Sequence, residues 1–187
     1  SMPTLILDRV AGESVLAAAG GGGIATLRLE AEREESTAWQ LVGFLPGRNY
    51  GTERDEWIQL VTHTDGPSVS QDNGALGLLA LTRYFARLPR VERPRSLLLY
   101  LDCRHYMPGQ EEVHAAADWF TRNPGARERV VAAIGMEHLG QIEYEERGEQ
   151  LVPSGRVDPS LIWVTDDDAL LKLAVGAVKA AGLPGAT

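Results

Sequence analysis

The chain has 187 residues, 44% of them hydrophobic and 24% charged, which is ordinary globular composition with enough apolar material for a layered core. Its formal net charge of −8 comes without any Lys/Arg cluster, which argues against a nucleic-acid surface. No apolar run approaches the roughly 20 residues that span a bilayer, and the single cysteine, Cys103, excludes an internal disulfide framework.

Residues 3–33 read as two short strands, Leu5-Ile6-Leu7 and Ala25-Thr26-Leu27-Arg28-Leu29, flanking a helix over residues 13–19. Gly20-Gly21-Gly22-Gly23 then ends that helix. Such a glycine run could cradle a phosphate, but no Lys-Ser/Thr or helix start follows it, so a turn is the simpler reading. Trp39-Gln40-Leu41-Val42-Gly43-Phe44-Leu45 is the next strand, stopped by Pro46-Gly47, and Trp57-Ile58-Gln59-Leu60-Val61 is another. Apolar residues at 75, 78, 81, 85 and 88 predict a helix over residues 73–88, closed by Pro89. Leu97-Leu98-Leu99-Tyr100-Leu101 is a near-continuous apolar run, as a strand buried on both faces requires. A helix over residues 111–121, strands at Val130-Val131-Ala132-Ala133-Ile134 and Leu161-Ile162-Trp163-Val164, and a helix over residues 167–181 complete the pattern. The acidic run Glu143-Tyr144-Glu145-Glu146-Arg147 reads as a solvated turn or edge.

Strands alternating with helices of this length imply an α/β fold: a mostly parallel sheet with helices on both faces. In such sheets ligands gather at the carboxyl ends of the strands. There stand His63 and Asp65, then Asp102, Cys103, Arg104 and His105, then Glu137 and His138, and finally Asp166, Asp167 and Asp168. Side chains that ligate metals therefore recur on one rim. Asp72, nine residues after His63, falls at a helix start, where the helix dipole keeps a carboxylate ionised. It could be a ligand, a helix cap, or both. Asp65 points the same way as His63 along an extended chain and could orient the imidazole from behind.

Val61-Thr62-His63-Thr64-Asp65-Gly66 followed by Asp72-Asn73-Gly74-Ala75-Leu76-Gly77 resembles the signature of the co-catalytic zinc aminopeptidases. These metallopeptidases share a clan with glutaminyl cyclases, glutamate carboxypeptidase and the transferrin-receptor ectodomain. Leu41-Val42-Gly43-Phe44-Leu45-Pro46-Gly47 resembles the strand that precedes the motif in that family. The likeness covers residues 37–181, leaving residues 1–36 as an N-terminal segment that resembles the end of a protease-associated insert. It implies a zinc-exopeptidase-like sandwich over residues 37–187 and a hydrolase acting on peptide or small aminoacyl substrates in an extracellular setting. No signal peptide is visible, but Ser1-Met2 looks like a cloning scar, so that absence excludes nothing.

The resemblance further implies zinc, one ion or two. His63, Asp72 and Glu137 would hold the first, with Glu137 standing where the family has Asp and Asp65 behind His63. The family's Glu-Glu pair, a general base and a ligand of the second zinc, falls without a gap on Arg104-His105. His105 can ligate zinc, but Arg104 stays protonated and cannot be a base. Glu111-Glu112 offers the alternative pair, with Glu111 as base, although Glu is also favoured at a helix start. No His follows His138 to match the family's last ligand, so the expectation is an incomplete C-terminal part with an exposed apolar edge or a second copy covering it. An inactive scaffold of the same ancestry is the alternative function. His114 reads as structural, and His138 as a packed or exposed imidazole before it reads as a ligand. Asp166-Asp167-Asp168 reads as a helix cap before a cation site, and Cys103 as a buried core thiol.

Overall fold

A computed structural model describes residues 4–32, 34–35, 37–66, 73–104, 115–140, 142–148, 150–157 and 161–183. By contact density the chain divides into two compact units, one of Ser1–Thr37 with Tyr144–Val152 and the other of Ala38–Glu143 with Pro153–Thr187. Among the described residues no helix is long and apolar enough to cross a membrane.

The larger unit is built on a mixed sheet of four strands: β1 (Leu41–Leu45), β2 (Trp57–His63), β3 (Ser96–Asp102) and β4 (Val130–Gly135), in the order β1-β3-β2-β4. β2 runs parallel to both β3 and β4, while β1 lies antiparallel to β3, so the sheet is mostly parallel with one antiparallel edge. The register sets Leu60 beside Leu99 and His63 beside Asp102. Alternation then puts Ile58 and Leu60 on the same face as Leu97, Leu99 and Leu101. Helix α2 (Gly74–Arg87) delivers Leu78, Leu81 and Phe85 to that layer, as its apolar spacing predicts. Burying Leu60 and Leu78 each contributes about 1.5–3 kcal/mol relative to exposure. Leu98 and Tyr100, which alternate to the other side, are fully buried too, so β3 is covered on both faces. Helix α3 (Ala115–Arg122) also contacts β3.

The smaller unit carries α1 (Arg9–Gly20), a full turn longer at its start than the glycine and alanine pattern predicts, because Asp8 caps it by accepting from the Ala11 amide at 2.8 Å. Gly21, Gly22 and Gly23 spend their amides on the carbonyls of Ala17, Ala19 and Ala18. The glycine run is therefore a helix terminator. Residues 5–7 and 25–29 form no strands, and Ile6 and Ile24 are almost fully exposed; a short apolar run becomes a strand only when a partner pairs with it.

A further expectation changes. Residues 161–164 form no strand, with Trp163 89% exposed. A strand exists only by pairing, which an apolar run cannot guarantee. The acidic run at 143–147 is an edge, as its charges suggest, in the form of strand β5 (Ile142–Arg147), paired to β6 (Gln150–Val157) around Gly148 at φ 64°. Its alternating Ile142 and Tyr144 were the signal, hidden under the charges. The last helix, α4 (Asp168–Ala181), begins where Asp167 accepts from the amides of Ala169 and Leu170, both at 2.9 Å, so that carboxylate is a cap.

Candidate metal centre

His63 is the last residue of β2 and is only 4% exposed. Its neighbourhood is tied down strand by strand. The Thr64 amide and hydroxyl both donate to the Asp102 carbonyl, at 2.7 and 3.1 Å, joining the ends of β2 and β3. On the other side the Met136 amide donates to the Val61 carbonyl at 2.9 Å, carrying the β2–β4 ladder one step past Gly135. The loop that follows is then pinned a second time. Asn73, at the start of α2, donates through Nδ2 to the Leu139 carbonyl at 2.6 Å and accepts from the Leu139 amide at 2.7 Å.

One position beside these anchors requires glycine. A Cβ on Gly74 would lie 2.0 Å from the Met136 carbonyl oxygen and 2.3 Å from Thr62 Oγ1. One on Gly77 would meet only the tip of the Leu139 side chain, which can shift. Asn73 and Gly74 thus seat the first turn of α2 directly on the loop after β4. The motif Asp72-Asn73-Gly74 had marked a helix start; the clamp and the close approach are what Asn and Gly do there.

Glu137 and His138 sit between the two anchors. Glu137 Oε2 is 3.4 Å from His63 Nε2 and 3.7 Å from His138 Nε2. On the other ring nitrogen, His63 Nδ1 is 3.6 Å from Asp65 Oδ1. These separations are longer than good hydrogen bonds. They match another geometry. Two ligands about 2.0–2.1 Å from a tetrahedral zinc stand about 3.4 Å apart, the spacing between His63 Nε2 and Glu137 Oε2. An imidazole and a carboxylate are also the donor types zinc prefers, and Asp65 stands where it can hold the ring by its far nitrogen. Two of the residues, His63 and Glu137, suit the ion in donor type and spacing. Among the described residues, however, no group of three His, Cys, Asp or Glu side chains could hold a metal ion.

Of the residues expected at the site, His63, Asp65 and Glu137 are brought together. Asp72, His105, Glu111, Glu112 and His114 lie outside the described residues. Arg104 is described, and its amide donates to Asp102 Oδ1 at 3.0 Å. Cys103 is buried; burial pushes its thiol up and the Asp102 carboxylate pushes it further, so it is an inert thiol next to the rim. Comparison of the chain with protein-family models, curated proteins and solved structures finds no match in any of the three.

A second polar cluster at the opposite end of the strands escaped the sequence reading. Asp55, 4% exposed, accepts from Ser96 Oγ at 2.7 Å and from the Gly51 amide at 3.2 Å, and Ser96 Oγ in turn accepts from the Gly47 amide at 2.9 Å. Arg129 Nη1 lies 3.8 Å from Asp55 Oδ2. Burial pushes the Asp55 carboxyl up, but donation from Ser96, Trp57 and Gly51, with the Arg129 charge, outweighs it and holds the group below its ordinary 3.8. Nothing in the motif content distinguishes a lone Asp before a strand as the centre of such a network.

Proposed function

We propose that this chain is a zinc-dependent hydrolase of the exopeptidase type, acting on peptide or small aminoacyl substrates. The observation that carries the reading is the 3.4 Å separation of His63 Nε2 and Glu137 Oε2, with Asp65 behind the ring. The likeness of the 61–77 segment to the zinc aminopeptidase motif supports it, as does a mostly parallel sheet with the cluster at its carboxyl rim. The reading takes the fold as a layered sandwich with helices on both faces, and the burial of β3 on both sides supports that.

His63 and Glu137 would hold the zinc, with Asp72 as a further ligand and His105 available for a second ion. A bound zinc supplies an activated water and a polarised carbonyl at neutral pH. Asp65 fixes which imidazole nitrogen faces the ion and so keeps His63 in the ligating tautomer. Glu111 is the carboxylate assigned to accept the proton of the attacking water. At 4% exposure the His63 ring has little room to reorient.

A specific observation favours one alternative, a scaffold of this fold without catalysis. Arg104 occupies the position where the resemblance puts the general base, and guanidinium does not accept a proton. Two measurements separate the readings. Metal analysis of purified protein should give near-stoichiometric zinc, lost in His63→Ala; protein that neither carries zinc nor gains thermal stability from it sinks the metal reading outright. Chelator-sensitive hydrolysis of aminoacyl-nitroanilides establishes the enzyme, whereas zinc binding without hydrolysis points to the scaffold.

A further inference from the structure

β4 is an edge of the sheet: among the described residues it pairs with β2 alone. Edge strands are commonly blunted by a charge, a proline or a bulge. Val130–Gly135 holds no charge and no proline, and Val131 and Ile134 are about half exposed. Its one irregularity is a register shift at Val131, which leaves Ala132–Gly135 regular. Because the Met136 amide donates to the Val61 carbonyl, alternation turns the amides of Ala133 and Gly135 to the outer side. The same chain holds a matching segment. Leu161-Ile162-Trp163-Val164 has a strand's composition but forms no strand, and Trp163 is 89% exposed. The helix that follows, α4, carries Leu170, Leu171, Ala174, Val175 and Val178 at helical spacing and buries none of them. One chain thus leaves uncovered both an open strand edge and a strand-and-helix segment suited to cover such an edge.

We infer that two copies of this chain associate by reciprocal exchange, residues 161–164 of each adding to the outer edge of β4 in the other, with α4 laying its apolar stripe against that copy's sheet. Charge sets the direction. Antiparallel addition carries Asp166-Asp167-Asp168 alongside Arg127-Glu128-Arg129, the net positive turn before β4, whereas parallel addition would carry the three aspartates to Glu137. With Ile162 opposite Ile134, Trp163 falls opposite Ala133, whose outward amide gains an acceptor. Each copy contributes about 25 residues, the size of a stable interface. Trp163 is the anchor, a role in which tryptophan is enriched. Since each copy gives one segment and receives one, the exchange closes at two copies. The pairing does not depend on the zinc reading.

The test is the mass of the full chain in solution, by sedimentation equilibrium over a dilution series, for wild type and Trp163→Asp. Wild type should reach twice the 20.3 kDa of one chain. Trp163→Asp should weaken self-association at least about thirtyfold, as loss of a buried anchor does. Its side chain is exposed in the single chain, so the melting temperature of the dilute monomer should not move. The double variant Ile134→Cys/Ile162→Cys, oxidised, should migrate as a covalent dimer, a band absent from either single variant. Wild type that stays monomeric at every concentration overturns the inference, and so does a dimer that Trp163→Asp leaves intact, because the contact then lies elsewhere. A disulfide that closes within one chain, or none at all in the double variant, overturns it as well: the segment would then cover its own edge, or not pair with β4.

Discussion

At the amino end of the parallel strands Asp55 is buried among donors at 2.7 and 3.2 Å, with a guanidinium beyond them; at the carboxyl end His63 is equally buried, yet its polar neighbours stand at 3.4 and 3.6 Å. The first cluster is closed. Its hydrogen bonds are short, its charge is matched by Arg129, and it staples the starts of β2, β3 and β4 together. At the carboxyl end the His63–Glu137 and His63–Asp65 separations are longer, and the metal reading proposed above would explain that spacing. On that reading the contrast is between a polar group kept for the fold and one kept for binding, although both lie at the ends of the same strands.

The contrast can be broken most forcefully at the closed end. Asp55→Ala should cost about 3–5 kcal/mol in urea unfolding, since it leaves Ser96 Oγ and the Gly51 amide without their acceptor and removes the carboxylate beside Arg129, and should leave the zinc affinity of the surviving folded protein unchanged. If that variant lost zinc binding instead, the two ends would not be independent. Gly74→Ala comes next. Its Cβ collides with the Met136 carbonyl, a backbone group that cannot step aside, so about 1–3 kcal/mol of stability and the alignment of Glu137 should go together. A Gly74→Ala protein with unaltered melting temperature and zinc affinity would show that the helix does not position the loop.

Glu137→Gln sharpens the comparison by a smaller effect of the opposite kind. It keeps the shape of a half-exposed side chain, so unfolding free energy should move by no more than about 0.5 kcal/mol, while zinc affinity drops at least about tenfold. A loss of stability comparable to that of Asp55→Ala would place Glu137 in a closed network after all. The smallest signal is in pH. Asp55 has its folded carboxyl below its ordinary 3.8, so its contribution is present above that value and is lost as pH falls through the lower folded value. Below pH about 3.8 wild type should therefore lose stability more steeply than Asp55→Asn, and parallel acid profiles for the two proteins would contradict the assignment.

Much of this was legible in the residues. The four paired strands, the spacing of Leu78, Leu81 and Phe85 on α2 and the cap at Asp167 follow from periodicity, which also put His63, Asp65 and Glu137 on one rim, while the grouping of Glu137 with His63 was implied by the resemblance. Period-2 and period-3.6 patterns are local, and they survive folding because each element must bury its own apolar side. What stayed hidden depends on partners. Leu161-Ile162-Trp163-Val164 has a strand's composition but no ladder, and the charged run at 143–147 has a ladder despite its composition, because pairing is decided by what lies alongside. The clamp of Asn73 on Leu139, the close approach at Gly74, the closed network on Asp55 and the left-handed turn at His138 join residues as many as 66 apart. The sequence by itself determined which side chains stand at each end of the sheet. Only the tertiary structure decided the gaps between them, since distances of a few tenths of an ångström are set by packing across elements and by the anchors of a single loop.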